Sequence, residues 1–474
     1  MWNFFKQSAA RQARNEFFDE YPYKVRPWRH QIDALTKSNL SKGFAYFMEQ
    51  GTGKTKTVLD ESQIMAHRRM ITRVVIACPK SLLMTWRNET MTHCNDYEIE
   101  VWKDKKSYGQ GNIIYSIINI DAIKTETGFR WLQKRVHSKT LFIVDESQAI
   151  KNIKARRTGA VLMLARKAGY KRILTGTPMT KNPLDLYSQM IFIDRKFWGN
   201  STFYSFRNKF ARLGGFKNKQ VVAFKNLDVL SNRVEPYSFR VTKDECLDLP
   251  PKVYSSRYLT LTKDQEKEYT KWALEYGQLW ISDKTKNTYN NAMVITGYLH
   301  QITGGNLGDK QYDCNKIDEC VNILAEGSGK TLIWCKYVKE IDRLKMTLED
   351  NGYKVGTYHG SVSLKKREEY KEDFNNGNMD VLILQYSCGG VGLTLNSAST
   401  VIFYSNGYTY ADRIQAEDRC HRGGQTKSVH YIDLITMDTL DEYILNILKD
   451  KKDITEEVLS NLGESFSGRV SKSS

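Results

Sequence analysis

Residues 43–70 read GFAYFMEQGTGKTKTVLDESQIMAHRRM. GFAYFMEQ is an apolar run of strand length, and KTKTVLDESQIMAHRRM has helical spacing. Between them lies Gly51-Thr52-Gly53-Lys54-Thr55. A strand, a glycine-rich turn and a helix in that order leave free amide N–H groups and the positive end of the helix dipole facing one point, which is where phosphate binds. The glycines let the backbone approach phosphate oxygens. Lys54 is placed to reach β/γ-phosphates and the Thr55 hydroxyl to sit on Mg²⁺. Met48 stands where the full eight-residue pattern has its first glycine, so the loop needs partners elsewhere in the chain.

A second stretch, AEGSGKT at 325–331, repeats the lysine and threonine. Here the order is reversed: VNILAE reads as helix and TLIWC as buried strand. The glycines then mark a helix stop and a turn, and Lys330 is not expected to bind phosphate.

Outward from the first loop, short apolar runs alternate with amphipathic helical stretches. The runs are VVIACP (74–79), IIYSIINI (113–120), LFIVDE (141–146) and RILTGT (172–177). They return as TLIWC (331–335), YKVGTYHG (353–360), DVLILQYS (380–387), TVIFYS (400–405) and VHYIDLI (429–435). Strands apolar along their whole length are covered on both faces, the mark of a parallel sheet between helix layers. The fold class is α/β, with two mostly parallel sheets flanked by helices. The segments expected are a leader (1–22), a first lobe carrying the phosphate loop (23–194), a helical insertion (195–248), a linker with helical part (249–324), a second lobe (325–440) and a C-terminal helix and tail (441–474). Leu249-Pro250-Pro251-Lys252 reads as a hinge or the start of a strand. Aromatics at three-to-four spacing (Tyr269, Trp272, Tyr276, Trp280, Tyr289) read as helix core rather than base-stacking groups.

The bulk numbers agree with a two-lobed soluble chain and add one constraint. At 474 residues the chain is long for one core. A net charge of +17 and a pI of about 9.2 favour a polyanionic partner, nucleic acid before anionic membrane. No run of apolar residues is long enough to span a bilayer, and the N-terminal stretch lacks a secretory core, so an intracellular protein is expected. The eight cysteines include no Cys-x-x-Cys pair. Buried free thiols are the expectation, not a zinc site.

LFIVDESQ ends an apolar strand in two acids. Asp145 is placed to hold Mg²⁺ and Glu146 to orient and deprotonate an attacking water. Alternatively the pair is acidic only because it opens a helix. Thr175 and Thr177 are candidates to sense a terminal phosphate, or lie in a plain turn. QAEDRCHRGGQ (415–425) sets Arg419 and Arg422 three apart on one helical face. They are either cations for a transferred phosphoryl group or a solvated basic face.

In order along the chain, RPWRHQ (26–31), EQGTGKT (49–55), ACPKSLLMTW (77–86), DESQAIKN (145–152), LTGTPMTKNPLDLY (174–187), LPPK (249–252), YHGSVS (358–363), CGGVGLTLNSAS (388–399) and QAEDRCHRGGQ (415–425) resemble the motif series of the Swi/Snf-type ATPases. These form the DNA-translocase branch of superfamily 2. The GVGLTL and QAEDR spellings are most similar to annealing-helicase and fork-remodelling members. The resemblance implies two RecA-like lobes with ATP and Mg²⁺ between them. It implies that Gln31 reads adenine with Arg26 and Arg29 close by, and that Gly51, Thr52, Gly53, Lys54 and Thr55 hold phosphate. Thr55 and Asp145 would hold the metal, Gln148 would take the coupling position of the DESQ box, and Gly392 and Gln415 would belong to the lobe-two half of the site. Arg419 and Arg422 would act as arginine fingers, with Arg422 favoured as the direct contact. Tyr408 stands where a Trp is common.

The expected partner is DNA, duplex or branched, gripped through its phosphates with little sequence reading. The candidates for that grip are Lys80, Ser81, Lys151, Asn152, Thr180, Lys181, Ser361 and Ser387, each of which also reads as an ordinary exposed polar residue. A bare motor working as a monomer in a bacterial or viral setting is expected, with no membrane role. A strand-separating helicase on DNA or RNA is the alternative. A decayed, non-catalytic scaffold is disfavoured by the intact Lys54, Asp145, Glu146 and Arg422.

Overall fold

A computed structural model describes residues 17–450 apart from 177–182, 215–219, 283–285, 328, 390–392, 394 and 424. The chain divides into two compact units, Met1–Asp248 and Leu249–Ser474. Each is a sheet between helix layers, the RecA-like arrangement the strand pattern requires.

In the first unit the sheet is built from β1 (Gly43–Met48), β2 (Arg73–Cys78), β3 (Glu98–Val101), β4 (Ser107–Tyr108), β5 (Ile114–Asn119), β6 (Thr140–Asp145) and β7 (Tyr170–Leu174). Two further strands, β8 (Ala211–Gly214) and β9 (Gln220–Phe224), form a separate antiparallel hairpin. A last strand, β10 (Ser238–Val241), returns to the main sheet beside β1. The order is β10-β1-β7-β6-β2-β5-β3-β4, and all pairs are parallel except β3 with β4. The register sets Ala45 opposite Ile173 and Val144 opposite Ile173 on its other side. β1, β7 and β6 are therefore adjacent, and their C-terminal ends lead to Glu49, Thr175 and Glu146. Ligands of open α/β sheets bind at that edge.

The second unit contains β11 (Lys252–Leu259), the short β12 (Asn306–Leu307) and β13 (Lys310–Gln311), and then β14 (Thr331–Cys335), β15 (Val355–Tyr358), β16 (Val381–Gln385), β17 (Thr400–Phe403) and β18 (Val429–Thr436). Its sheet runs β11-β18-β17-β14-β16-β15, all parallel. The apolar runs at 331–335, 380–387, 400–405 and 429–435 form its interior, with Leu332, Ile333, Trp334, Ile383, Val401 and Ile402 fully buried.

The expected helical insertion at 195–248 is corrected. It holds three helices, Phe203–Phe210, Leu227–Val234 and the short Lys243–Cys246, but also the β8–β9 hairpin, and β10 makes it part of the first sheet. The backbone after β10 closes on the phosphate loop, where the Lys243 N–H donates to Glu49 Oε2 (2.7 Å). Leu249-Pro250-Pro251-Lys252 proves to be the start of an edge strand, since β11 begins at Lys252. Tyr269 and Tyr276 are buried in a helical core, as the spacing indicated. The side chains of Trp280 and Tyr289 lie outside the described residues.

At the second glycine stretch, the helix Asn315–Ala325 precedes it and β14 follows. Lys330 Nζ donates to the Phe374 and Asn375 carbonyls (2.5 and 3.3 Å), so its amine ties down the end of a helix. All eight cysteines are free thiols, and six are buried.

Candidate functional site

Gly51 and Gly53 have φ of 86° and 84°. Gly53 has a second reason to be glycine: a Cβ there would lie 1.9 Å from the Gln31 Nε2. The helix Lys54–His67 starts directly after it, with no side chain capping its N-terminus. Thr52 is buried and its Oγ1 donates to the Glu49 carbonyl (2.8 Å). Lys54 Nζ donates to that same carbonyl (3.1 Å) across the loop. The Thr55 hydroxyl is half-buried and has no protein hydrogen bond among the described residues.

Asp145 ends β6 in the interior. Its Oδ2 accepts the Trp86 indole N–H (2.8 Å) and its Oδ1 the Glu146 N–H (2.9 Å). Burial, then the neighbouring Glu146 carboxylate, push the Asp145 carboxyl well above the ordinary carboxylate range, and the Trp86 hydrogen bond, then Lys54, pull the other way. A buried acid at the end of β6 and a threonine hydroxyl with no protein partner at the start of the phosphate-loop helix are groups a divalent cation fits. The donor set, one carboxylate and one hydroxyl, is the oxygen chemistry that Mg²⁺ takes.

Glu146 has left-handed backbone (φ 48°). That conformation is strained in a non-glycine residue and clusters at functional sites. Its Oε2 accepts a hydrogen bond from Gln148 Nε2 (2.8 Å), and Gln148 Oε1 accepts one from Thr175 Oγ1 (2.9 Å). One amide therefore joins Glu146, just past the end of β6, to the threonine after β7. Gly176 continues that contact, since a Cβ there would stand 3.2 Å from the Gln50 nitrogen of the phosphate loop. The loop, the acid pair and Thr175 form one assembly on three adjacent strands. Thr177, Thr180 and Lys181 lie outside the described residues.

Gln31, expected to read adenine, is 1 % exposed. Its Oε1 accepts the Trp28 N–H (2.9 Å), and its Nε2 donates to the carbonyls of Thr52 and Gly53 (3.3 and 3.4 Å). His30 Nε2 also bonds the Thr52 carbonyl (2.7 Å). In this structure Gln31 braces the glycine loop. Arg26 is exposed and pairs with Asp19 (3.1 Å), and Arg29 pairs with Asp33 (3.5 Å). Sequence reasoning assigned no role to two tryptophans inside the motifs it quoted. Trp86 holds Asp145. Trp28, 46 % exposed, lies close to the position a Gly53 Cβ would take (3.8 Å) and is an open aromatic face beside the loop. Their bulk within short polar motifs is the available signal.

In the second unit, the helix Tyr410–Glu417 runs into the C-terminal motif, and Arg419 and Arg422 lie in the turn past its end rather than on one helical face. Arg413 reaches both Asp433 oxygens, Glu417 Oε1 (2.9 Å) and Asn406 Oδ1 (2.9 Å). Glu417 Oε2 in turn accepts from Lys252 Nζ (2.8 Å) and the Tyr254 hydroxyl (2.7 Å). Those bonds, with His421 Nε2 to the Pro250 carbonyl (2.9 Å), fasten the Leu249–Lys252 segment to the motif.

Arg419 faces the interior of the second unit. The residue is 1 % exposed, and its guanidinium donates to the Gln415 and Leu393 carbonyls (2.8 and 3.2 Å), so it braces the loop around Leu393. Arg422 is more open and touches the same Leu393 carbonyl (3.2 Å). Gln415 is half-buried. Gly392 lies outside the described residues. Of the expected phosphate-gripping residues, Lys80, Asn152, Ser361 and Ser387 are exposed and Ser81 is half-buried. Lys151 pairs with Asp185 (3.6 Å).

A phosphate loop, an acid pair on the strand two places over and an arginine-bearing helix on a second parallel sheet define the class: a two-lobed, superfamily 2 type nucleoside-triphosphatase core. Comparison with known families narrows it. The SNF2-related domain matches residues 36–315, more than half the chain, and the helicase conserved C-terminal domain matches 315–424. The chain belongs to the SNF2-related family of Swi/Snf-type ATPases.

An uncharacterised ATP-dependent helicase of Mycoplasma genitalium is 25% identical over 431 residues, which is 87% of this chain and 40% of that protein. One from Mycoplasma pneumoniae is 27% identical over 424 residues, with the same coverage of each. The chain thus spans well under half the length of these relatives. Among solved structures, the Sulfolobus solfataricus SWI2/SNF2 ATPase core in complex with dsDNA is 23% identical, with 96% of each chain covered and a TM-score of 0.44.

Proposed function

We propose that the chain hydrolyses ATP and uses the cycle to move along double-stranded DNA, remodelling branched DNA or protein–DNA complexes. The observation that carries this reading is the hydrogen-bonded chain Glu146–Gln148–Thr175 beside the glycine loop. It ties the residue that would activate water to the residue that would feel the terminal phosphate.

In this reading Lys54 and the N–H groups at the start of its helix bind the β/γ-phosphates. Trp28 stacks on the base, with Gln31 contributing from the loop. Thr55 and Asp145 hold Mg²⁺, which when bound neutralises charge on the phosphate oxygens. Trp86 fixes the Asp145 carboxylate by occupying Oδ2. Glu146 orients and deprotonates the attacking water, and Gln148 holds the Glu146 carboxylate in place. Arg422 supplies the guanidinium from the second lobe, with Arg419, Gln415 and Gly392 shaping its surroundings. Loss of the terminal phosphate releases the restraint between lobes, and repeated release advances the motor.

The grip on DNA falls to Lys80, Ser81, Lys151, Asn152, Thr180, Lys181, Ser361 and Ser387 through phosphates. No described helix is long and apolar enough to cross a membrane, and an intracellular setting is part of the proposal.

The test is ATP hydrolysis measured in parallel with single-stranded, duplex, forked and four-way DNA and with RNA. The reading expects stimulation by duplex or branched DNA, and a loss of at least about 100-fold in Lys54→Ala. Strong unwinding of a tailed duplex would instead favour a strand-separating helicase. Full biological activity in Lys54→Ala would overturn the ATPase reading.

A further inference from the structure

From Arg195 through Leu227 the chain has no acidic residue and eight basic ones. The helix Phe203–Phe210 and the strands β8 and β9 carry much of the described part of this segment. Phe206 and Phe210 are buried against the Trp198 ring (4.6 and 6.4 Å between centroids) and anchor the helix. Tyr204 and Lys209 are left exposed. On the hairpin Arg212 sits at a register shift and is exposed.

Lys154, three residues beyond Lys151, joins this surface. Its Nζ donates to the Tyr204 hydroxyl (3.2 Å), and the Arg207 guanidinium lies 5.3 Å from the same ring. The surface is therefore continuous with the segment following the Asp145–Glu146 pair.

What sets it apart is the run of bases with no acid among them. Some exposed bases elsewhere on this unit are matched by acids, as in Arg26–Asp19, Arg29–Asp33 and Arg130–Glu126, and the unpaired ones there, such as Lys105 and Lys106, stand in sequence that also holds acids. Among the described residues, no carboxylate lies within ion-pair distance of Lys154, Arg156, Arg207, Lys209, Arg212 or Lys225. Such cations repel one another in the free protein and gain when a polyanion brings its own charges.

We propose that this surface, centred on Arg207, Lys209 and Arg212, is an additional grip on the phosphate backbone of duplex nucleic acid, outside the motif residues. The inference rests on the nucleic-acid motor reading above. A duplex is favoured over a single strand because Tyr204, the aromatic at the patch centre, is engaged by Lys154 and Arg207. One exposed ring already flanked by two cations is not the row of stacking aromatics that single strands use, and what is mainly presented is charge that matches phosphates.

The test uses the whole chain and two double variants of equal charge change: Lys209→Glu/Arg212→Glu in the patch, and Lys105→Glu/Lys106→Glu on the exposed turn before β4. Duplex binding is measured by anisotropy between about 50 and 200 mM salt. Each lost phosphate contact lowers the slope of log K against log salt by about 0.9, so the patch variant should lose about 1.8 in slope and bind at least roughly tenfold more weakly at the lower salt. DNA-free ATP hydrolysis should be unchanged and the control variant close to wild type. If wild type binds duplex while the patch variant keeps its affinity and slope, the grip is refuted and the motor reading stands. Equal losses in both variants would also refute it, as general charge. So would loss of binding to phosphatidylserine vesicles with duplex binding intact. A wild type that binds no nucleic acid at all overturns the motor reading and this inference together.

Discussion

Replacing Arg172 by Met should destabilise the first unit by as much as the largest single losses of apolar contact. Arg172 and Glu61 are both 0 % exposed and make two direct hydrogen bonds, Nε to Oε2 (2.8 Å) and Nη2 to Oε1 (2.6 Å). The same carboxylate accepts the Ser38 hydroxyl (2.7 Å) and the Tyr46 hydroxyl (2.9 Å). Methionine fills much of the volume but leaves Glu61 as a buried anion held only by two neutral donors. Breaking one side of a buried pair costs about 3–5 kcal/mol. For a unit of this size each kcal/mol moves Tm by about 2–4 °C, so the unfolding transition of this unit should fall by about 6–20 °C. The assay is a thermal or urea melt that resolves the two units, since a two-domain chain need not unfold in one step.

A second variant separates the stranded charge from simple misfit. Arg172→Met/Glu61→Gln keeps an acceptor for the two hydroxyls and removes the charge, at the expense of an amide needing new partners. It should recover at least about 1 kcal/mol relative to Arg172→Met alone. If the double variant melts at or below Arg172→Met, the unpaired-charge argument is wrong and the loss belongs to packing.

Other outcomes follow from the catalytic edge of the sheet. The Asp145 carboxyl binds its proton more tightly folded than unfolded, so in nucleotide-free protein its ionisation removes stability as pH rises through its folded pKa. Asp145→Asn should therefore raise Tm relative to wild type more at pH 8 than at pH 5, read by differential scanning fluorimetry; an equal offset at both would contradict the assignment. Gln148→Ala breaks the link between Glu146 and Thr175 while leaving the glycine loop untouched. It should lower kcat on the order of 10- to 100-fold with nucleotide affinity nearly unchanged, measured by steady-state hydrolysis and binding of a fluorescent nucleotide.

The strands were legible because burial on both faces forces uninterrupted apolar runs, as in LFIVDE and TLIWC, and the glycine loop because its order of elements is distinctive. Three features were not. Ser238–Val241 is four residues long and buried only at its two ends, at a sheet edge, a pattern too short to distinguish from a loop. The roles of Gln31 and Arg419 depend on which carbonyls happen to stand in front of them, which spacing does not encode. Glu61 and Arg172 are charged, and charged residues are almost always outside unless paired. Pairing across more than a hundred positions leaves no local trace.

That hidden pair explains how the edge of the sheet is kept in register. Ser38 ends the helix whose start carries His30 and Gln31, Tyr46 lies on β1, Glu61 on the helix that begins at Lys54, and Arg172 on β7. From Glu61 to Lys54 is about 10 Å along a helix at 1.5 Å per residue. From Arg172 to Thr175, and from Tyr46 to Glu49, is also about 10 Å along a strand at 3.3 Å per residue. One buried knot thus stands the same distance behind the lysine, the threonine and the first carbonyl of the loop. Apolar packing is non-directional and tolerates small slides. A one-residue slip of β7 would carry Thr175 about 3.3 Å from Gln148, enough to break their hydrogen bond. A bidentate ion pair with two further donors does not tolerate that slide, because every partner would be left buried and unsatisfied. The polar residues in this core are placed where phosphate chemistry needs three separate elements to agree on position to within a fraction of a hydrogen-bond length.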